Sequence, residues 1–432
     1  MTEVDKDESG TRIAVPSLYK HLEDALRFIH LTRRFGPIIK RTKNKLLKLP
    51  RDFQLFLAAT FVFGFAQSIV GSTFNNFLSE TFLINNFQRG ILEIPRELPG
   101  LLTIFVSAIL FFMCSRRQAA LANILCAMGI LFIGFYSPGF SIMLIWLFIF
   151  SVGQHLFLPL NQSIGMELAA DGQTGKRLGQ FSAVANVAAI IGSFFILIGF
   201  KFFNLNFKMS YIAAFLGFMA VAALLFMMKK DEPVPVRMKF QFRREYKLYY
   251  WLTVLYGTRK QLFLTFAPWV LVTVFRQKTQ VLATLLTIGG AVGIFFIPVL
   301  GKAIDKLGER IILASEAVLL VFVCLGYGFA KNYFADTTAM LIVFSCYILD
   351  QMLMAVSMAR ATYLQKIAVA PEDVSQTLTM GVSIDHIFSV SIAVFGGFIW
   401  IKWGYQYVFL MGAVIAVVNF FSALQIKTQA RK

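Results

Sequence analysis

Twelve apolar stretches, each long enough to cross a bilayer as a helix, dominate this 432-residue chain. At a rise of about 1.5 Å per residue, about 20 apolar residues span a hydrocarbon core roughly 30 Å thick. Backbone groups in that core must be satisfied within the segment, which favours helices. We therefore predict an all-α polytopic membrane protein. The predicted spans cover residues 53–79, 90–114, 118–136, 140–166, 178–200, 209–228, 248–275, 280–301, 311–330, 338–364, 376–401 and 404–426.

The composition excludes a soluble domain. Of all residues, 57% are hydrophobic and 15% are charged, whereas soluble domains carry about 25% charged residues. In a soluble protein the net charge of +18 would suggest nucleic acid. Here the cations lie between apolar stretches, so we expect a lipid surface and no nucleic acid as the partner. The four cysteines match no metal site or disulfide framework, and we expect no cofactor and no metal.

Lysine and arginine are divided unequally between the two sets of alternating loops. With the N-terminus in the cytoplasm, 31 of the 41 lie in cytoplasmic loops and tails. Because positive loops stay on the cytoplasmic side, we predict that both termini are cytoplasmic. We expect the cell (inner) membrane of a bacterium. The opposite loops hold Arg89, Lys201, Lys208, Arg276, Lys278, Lys331 and Lys402.

The longest connection divides the predicted spans six and six. Residues 229–247 are basic and form a predicted cytoplasmic linker between an N-terminal half, 53–228, and a C-terminal half, 248–426. Residues 427–432 form a cytoplasmic tail. Residues 1–52 hold twelve Lys and Arg around apolar positions, which predicts an amphipathic segment lying on anionic lipid. This segment is either a topogenic tail with no other role or a gating or regulatory element.

The two halves echo each other at an offset of about 193 residues. Phe63 and Gly64 fall on Tyr256 and Gly257. Two six-helix halves related in this way are a known transporter plan, with the substrate site near the bilayer midplane between them. We therefore expect twelve transmembrane helices in two pseudo-symmetric halves.

One loop carries a recognisable motif, Gly-x-x-x-Asp-x-x-Gly-x-Arg, formed by Gly301, Asp305, Gly308 and Arg310. We expect Gly301 to permit close helix packing and Gly308 to permit a tight turn. Asp305 would accept from Arg310 or cap a helix end, and would latch the loop in one state. At the matching place in the first half, Phe112 and Ser115 replace the Asp and the second Gly, and Arg116 and Arg117 remain.

With twelve spans, a central basic loop and this motif, residues 53–426 resemble the major facilitator superfamily. The resemblance implies that spans 1, 4, 7 and 10 line a central cavity. It further implies that spans 2, 5, 8 and 11 flank this cavity and that spans 3, 6, 9 and 12 face lipid. Nearly all deep ionisable residues fall in lining or flanking spans. The exception, Glu316 in span 9, lies near the cytoplasmic start of its span, where we expect Arg310 as its partner.

Arg259 and Lys260 lie about ten residues into span 7, near the middle of the bilayer. A cation there costs at least about 2.5–3.5 kcal/mol unless it faces protein groups or a water-filled cavity. Spans 4, 10 and 11 supply polar groups at similar depth. The predicted substrate-binding or proton-coupling residues are Arg259, Lys260, Asp350, Asp385, His386, His155, Gln154 and Asn161.

Two arrangements of these charges remain open from the sequence. In one, an aspartate pairs with one cation and the other cation faces the cavity to bind an anionic group. Exchange of partners would then load and release a proton, for which the histidines are suited. In the other, Arg259–Asp350 and Lys260–Asp385 are inert ion pairs that hold helices in register.

A second polar cluster is predicted where span 1 ends and span 2 begins. Asn75 and Asn76 meet a segment in which Glu93 and Arg96 are spaced to pair on one helix face, and Glu97 adds a second carboxylate. We consider these residues an outer gate or proton-entry site, or else a solvated interfacial cluster.

The expected function is that of a monomeric secondary active transporter, not an enzyme. It would move a small polar or anionic organic solute by alternating access, with protons as the coupling ion. The alternatives are a multidrug efflux transporter and a membrane sensor or lipid-handling protein.

Overall fold

The computed structural model describes residues 50–110, 112–169, 174–231 and 243–427, and within these ranges the chain forms fourteen α-helices. Most of the predicted amphipathic segment, most of the linker and most of the tail therefore lie outside the described residues. The helices are α1 Arg51–Phe77, α2 Asn86–Ile91, α3 Glu93–Ile109, α4 Ser115–Phe135, α5 Phe140–Glu167, α6 Thr174–Phe202, α7 Phe207–Phe226, α8 Lys247–Thr273, α9 Thr279–Leu307, α10 Glu309–Tyr333, α11 Asp336–Met354, α12 Ser357–Ile367, α13 Pro371–Trp403 and α14 Tyr405–Leu424.

Ten helical segments among the described residues are long and apolar enough to cross a membrane. They correspond to ten of the twelve predicted spans, with α11 and α12 together forming one of them. The predicted spans 90–114 and 248–275 form α3 and α8, which are not among the ten. Helix α3 has only 17 residues and includes Glu93, Arg96 and Glu97, and α8 includes Arg259 and Lys260. The short length of α3 and the charged and polar residues of α8 thus separate these two segments from the rest.

Two predicted spans are interrupted. A turn at Leu92 separates α2 from α3, and a turn at Ala355 and Val356 separates α11 from α12. At the second turn the N–H groups of Ala355 and Val356 donate to carbonyls three residues earlier. Such tightened turns end an α-helix and satisfy its last carbonyls. The apolar pattern runs through both turns, so it could not reveal them.

The packing described below lies within residues 55–427. The N-terminal helices α1–α7 meet the C-terminal helices α8–α14 where α2 and α3 pack on α13 and where α6 packs on α9. Gly90 makes the first contact possible, because a Cβ there would clash with the Ala393 carbonyl oxygen. In the second contact, the hydroxyl groups of Ser193 and Thr287 are 2.9 Å apart.

Polar bonds tie the same two groups of helices near the ends of α1 and α8. The Asn76 side chain donates to the Gln277 carbonyl at 2.9 Å, and the Trp269 indole donates to Asn86 Oδ1 at 2.8 Å. We call the contact formed by Asn76, Asn86, Gly90, Trp269, Gln277 and Ala393 the seam. Close backbone approach and directed hydrogen bonds make it a closed contact.

The two motif glycines have different surroundings. Gly308 ends α9 and begins α10 with φ +82°, ψ 162°, a conformation that is essentially restricted to glycine. The expected turn is therefore present. The expectation for Gly301 is wrong, because a Cβ there would meet no atom within 4 Å. Close helix packing does not account for that glycine.

We predict that Gly308→Ala destabilises the protein by about 1–3 kcal/mol, because alanine would be strained at this backbone conformation. Gly301→Ala is the matched control in the same loop. It should leave stability unchanged or raise it slightly, since alanine fits a helix better than glycine. Thermal unfolding of the two purified variants in detergent would measure the difference, and equal melting temperatures would contradict the prediction.

Candidate functional site

One almost fully buried ion pair joins α8 to α11. Arg259 Nη2 donates to Asp350 Oδ1 at 2.6 Å, and the two side chains are only 3% and 8% exposed. The same guanidinium contacts Met354 Sδ at 3.1 Å and faces the Phe263 ring. Removal of either charge would leave the other buried without compensation, so this pair ties the two helices together.

The second ion pair joins α8 to α13 and is more accessible. Lys260 Nζ donates to Asp385 Oδ2, with the side chains 20% and 14% exposed. Gly257 leaves room for the carboxylate, because a Cβ there would lie against Asp385 Oδ1. That Oδ1 atom is buried and has no hydrogen-bond partner in the described part of the chain. Both predicted cations are thus paired, and the arrangement with one free cation is not the one observed.

A fully buried carboxylate lies at the start of α3. Glu93 Oε1 accepts from Arg89 at 2.6 Å and from Arg96 at 3.1 Å, and its Oε2 accepts from Gln261 of α8 at 2.8 Å. Arg89 also donates to Asn75 Oδ1 at 3.3 Å. The expected Glu93–Arg96 pair is present. Arg89 was predicted to lie in a loop opposite the cytoplasm, but it lies on α2 and its side chain is 0% exposed. Its i, i+4 spacing to Glu93 is the sequence signal for this pair.

Glu97, which was predicted as part of the outer cluster, contacts the histidines. Its Oε2 is 2.9 Å from His386 Nδ1 on α13. The His386 ring lies 5.0 Å from the His155 ring of α5, centroid to centroid. His155 Nδ1 is 3.0 Å from both the hydroxyl and the carbonyl oxygen of Ser151. Two sets of residues that were predicted separately thus form one network.

The remaining predicted residues lie around these networks. Gln154 and Asn161 are partly buried on α5. Asn161 Oδ1 is buried and has no hydrogen-bond partner among the residues that the structure describes. Asn76 belongs to the seam, through its bond to the Gln277 carbonyl.

Sequence reasoning missed one charged cluster among the C-terminal helices. Arg360 of α12 stacks on the Tyr256 ring at 3.6 Å and pairs with Glu316 of α10 at 3.6 Å. Glu316 was expected to pair with Arg310, so that expectation is wrong. With Arg259 and Asn419, these residues line a cavity of about 10 Å³, which is room for about one water. Arg360 lies within the predicted span 338–364, but it was not among the deep ionisable residues named from the sequence.

The degenerate first-half motif keeps an ion-pair network. Arg116 donates to Glu167 at 2.7 Å and lies 3.7 Å from Asp231. Asp231 also accepts from the Ser115 N–H at the start of α4. Burial alone would raise the pKa of the Asp231 carboxyl, but its hydrogen bonds, chiefly from the Arg116 N–H, lower this pKa below its usual value. Carboxylates from elsewhere in the chain thus replace the missing motif aspartate.

We predict that Asp350→Asn lowers the free energy of unfolding by about 3–5 kcal/mol, because it leaves the Arg259 charge buried without compensation. Lys366→Met is the control, since it breaks the 2.7 Å pair with Glu309 at a lysine that is 54% exposed. Because Lys366 is about half exposed, its pair with Glu309, which is 7% exposed, should contribute less than a pair that is buried on both sides. Chemical unfolding in detergent measures both variants, and similar losses in the two would contradict the idea that burial makes the Arg259–Asp350 pair costly to break.

Comparison with known proteins agrees with this architecture. The family model described as the Major Facilitator Superfamily matches residues 56–377. A search of curated proteins found no match. Among solved structures, a mutant of the nucleoside transporter NupG has a TM-score of 0.70 at 11% identity, over 87% of this chain and 100% of that one. The D-xylose-proton symporter has a TM-score of 0.67 at 13% identity, over 87% and 97%.

A mutant of the peptide transporter POT in complex with sulfate has a TM-score of 0.68 at 13% identity, over 87% of this chain and 95% of that one. At such low identity these likenesses show the fold and not the substrate. The family model is independent of them and covers more than half of the chain. The chain therefore belongs to the major facilitator superfamily.

Proposed function

We propose that this protein is a secondary active transporter that moves a small polar or anionic organic solute by alternating access, coupled to protons. Membership of the superfamily supports transport in general. The observation that carries the finer proposal is the Lys260–Asp385 pair. It is partly accessible, and it is directly adjacent in sequence to the Glu97–His386 bond between N-terminal and C-terminal helices.

The two central ion pairs have different roles in this proposal. Arg259–Asp350 is almost completely buried, which suits a structural pair. Lys260 and Asp385 are two to several times more exposed, and Asp385 Oδ1 is without a partner in the described residues. An anionic group would compete with Asp385 for Lys260, and a proton on Asp385 would release Lys260. Both events disturb the helix that carries His386.

We propose that the protein has twelve membrane spans in two six-helix halves. In this proposal α3 and α8 are the two spans that add to the ten apolar segments. Three of their charged residues, Glu93, Glu97 and Arg259, are buried, and α8 is buried along most of its length. Intramembrane charge is tolerated where it faces protein. The seam would be the outer gate, and the cycle would open it by parting α2 and α3 from α13.

The cellular arrangement follows from the charge distribution. We propose a monomer in the cell (inner) membrane of a bacterium, with both termini in the cytoplasm. The basic residues of 1–52 would bind anionic lipid, since about 1 kcal/mol per Lys or Arg is available near such a surface. This segment lies almost wholly outside the described residues, so the proposal rests on its sequence.

A ligand screen would identify the solute and test the role of Lys260. Thermal stabilisation of the purified protein would be measured over organic acids, sugars, nucleosides, peptides and drugs. We predict that a polar or anionic compound stabilises the wild type. Lys260→Met should weaken its binding by about 10- to 100-fold, the value of a charged hydrogen bond, and should abolish its flux in proteoliposomes.

Lys201→Met is the matched control, because Lys201 is exposed at the end of α6 and belongs to none of the central networks. It should bind and transport like the wild type. Normal transport by Lys260→Met would contradict the proposed role. Stabilisation only by amphipathic drugs would favour an efflux function instead.

Proton coupling makes a separate prediction. Once the solute is known, an imposed pH gradient should drive its accumulation in proteoliposomes, and a protonophore should abolish that accumulation. The physical reason is that the Asp385 and His386 side chains lie beside both the proposed solute cation and the bond between the halves. Flux that does not respond to the gradient would refute the coupling and leave the transport proposal intact.

A further inference from the structure

We propose that Glu97, His155 and His386 form a binding site for one divalent transition-metal ion, of the class that includes Zn²⁺ and Co²⁺. One ligand atom from each of the three residues lies within 4.8 Å of the others. The residues come from α3, α5 and α13, so both N-terminal and C-terminal helices supply ligands. Only the consequence for the transport cycle rests on the proposed function.

The residue set is one that such ions bind. Two imidazoles and one carboxylate occur as protein ligands of zinc, with a fourth position left open. Imidazole also suits cobalt, nickel and copper better than it suits magnesium or calcium. Zn–N and Zn–O bonds of about 2.0–2.2 Å place neighbouring ligand atoms roughly 3.3 Å apart. A spread of 4.8 Å therefore requires shifts of only about 1–1.5 Å, within reach of side-chain rotation.

The surroundings of His155 favour metal binding further. Its Nδ1 lies 3.0 Å from the Ser151 carbonyl oxygen, which can only accept a hydrogen bond. The proton of a neutral ring is then on Nδ1, which leaves Nε2 with a free lone pair. Metal-bound histidines commonly donate the other ring N–H to a backbone carbonyl in this way. The His155 ring is thus held in a tautomer suited to a ligand.

The pocket also fits the second histidine closely. At Gly100 of α3, a Cβ would lie 2.5 Å from His386 Cε1 and 2.6 Å from its Nε2, so only glycine admits the ring. His386 Nδ1 and Glu97 Oε2 are 2.9 Å apart, so both atoms are close enough to bind one ion. The Glu97 and His386 side chains are about 10% and 12% exposed.

Nearby charges bear on the fourth ligand. Arg89 and Arg96 share Glu93, and Lys260 bonds to Asp385, so Glu97 is the carboxylate left for a cation between the histidines. The surplus charge of the two arginines favours an anionic fourth ligand, such as hydroxide or a carboxylate oxygen. An ion bound by both N-terminal and C-terminal helices would stabilise the closed arrangement of α3, α5 and α13.

The test is titration of the purified full-length protein in detergent with Co²⁺, followed by the visible absorption of the bound ion and by competition with Zn²⁺. We expect one ion per chain. His155→Gln, His386→Gln and Glu97→Gln should each weaken binding by at least about 100-fold. The remaining histidines, His21 and His30, lie outside the described residues, and a double variant of these two to Gln is the control that should bind normally.

A glycine pair tests the geometry without removal of a ligand. Gly100→Ala should displace the His386 ring and weaken binding at least about tenfold. Gly71→Ala, where a Cβ meets no atom within 4 Å, should have no effect. Thermal melting without metal would confirm that each variant is folded. The proposal is overturned if the wild type binds no Co²⁺, if the folded ligand variants bind as the wild type does, or if only the His21/His30 control loses binding. None of these measurements depends on transport activity.

Discussion

Charge buried inside the helical bundle is the constraint on which the rest of this structure depends. Arg259 is nearly inaccessible, and its pairing with Asp350 at 2.6 Å satisfies a group that would otherwise be far costlier to bury. That pair forces α8 and α11 together. Around it, Met354 and Phe263 exclude other partners. Helix α8, which carries Arg259 and Lys260, is accordingly buried along most of its length.

A second layer of polar contacts connects the N-terminal and C-terminal helices. Glu93 accepts from Gln261, Glu97 meets His386, and the seam adds backbone approach at Gly90. Contacts of this kind are directional, and members of one polar network can strengthen one another. The sequence Asp385–His386 on α13 links this layer to the central ion pairs. A change in the Lys260–Asp385 pair therefore takes place directly beside His386, which contacts the other group of helices.

Much of this arrangement could be predicted from sequence. Apolar length and loop charge predicted a polytopic helical protein, and the Gly308 motif together with the spans indicated the superfamily. The Glu93–Arg96 pair followed from helical spacing, which is a local property. The Arg259–Asp350 and Lys260–Asp385 pairs were one of two open arrangements. Spacing along separate helices cannot say which faces meet, so the sequence could not choose between them.

By itself, therefore, the sequence determined which charged residues needed a polar or charged partner inside the protein. The reason is that the desolvation penalty depends on the residue type and on its depth in the membrane. Only the tertiary structure decided the partners. In the structure Arg89 pairs with Glu93, and Glu316 pairs with Arg360 and not with Arg310. Glu97 contacts the histidines. These choices depend on helix rotation and on two turns, at Leu92 and at Ala355–Val356, that the apolar pattern does not encode.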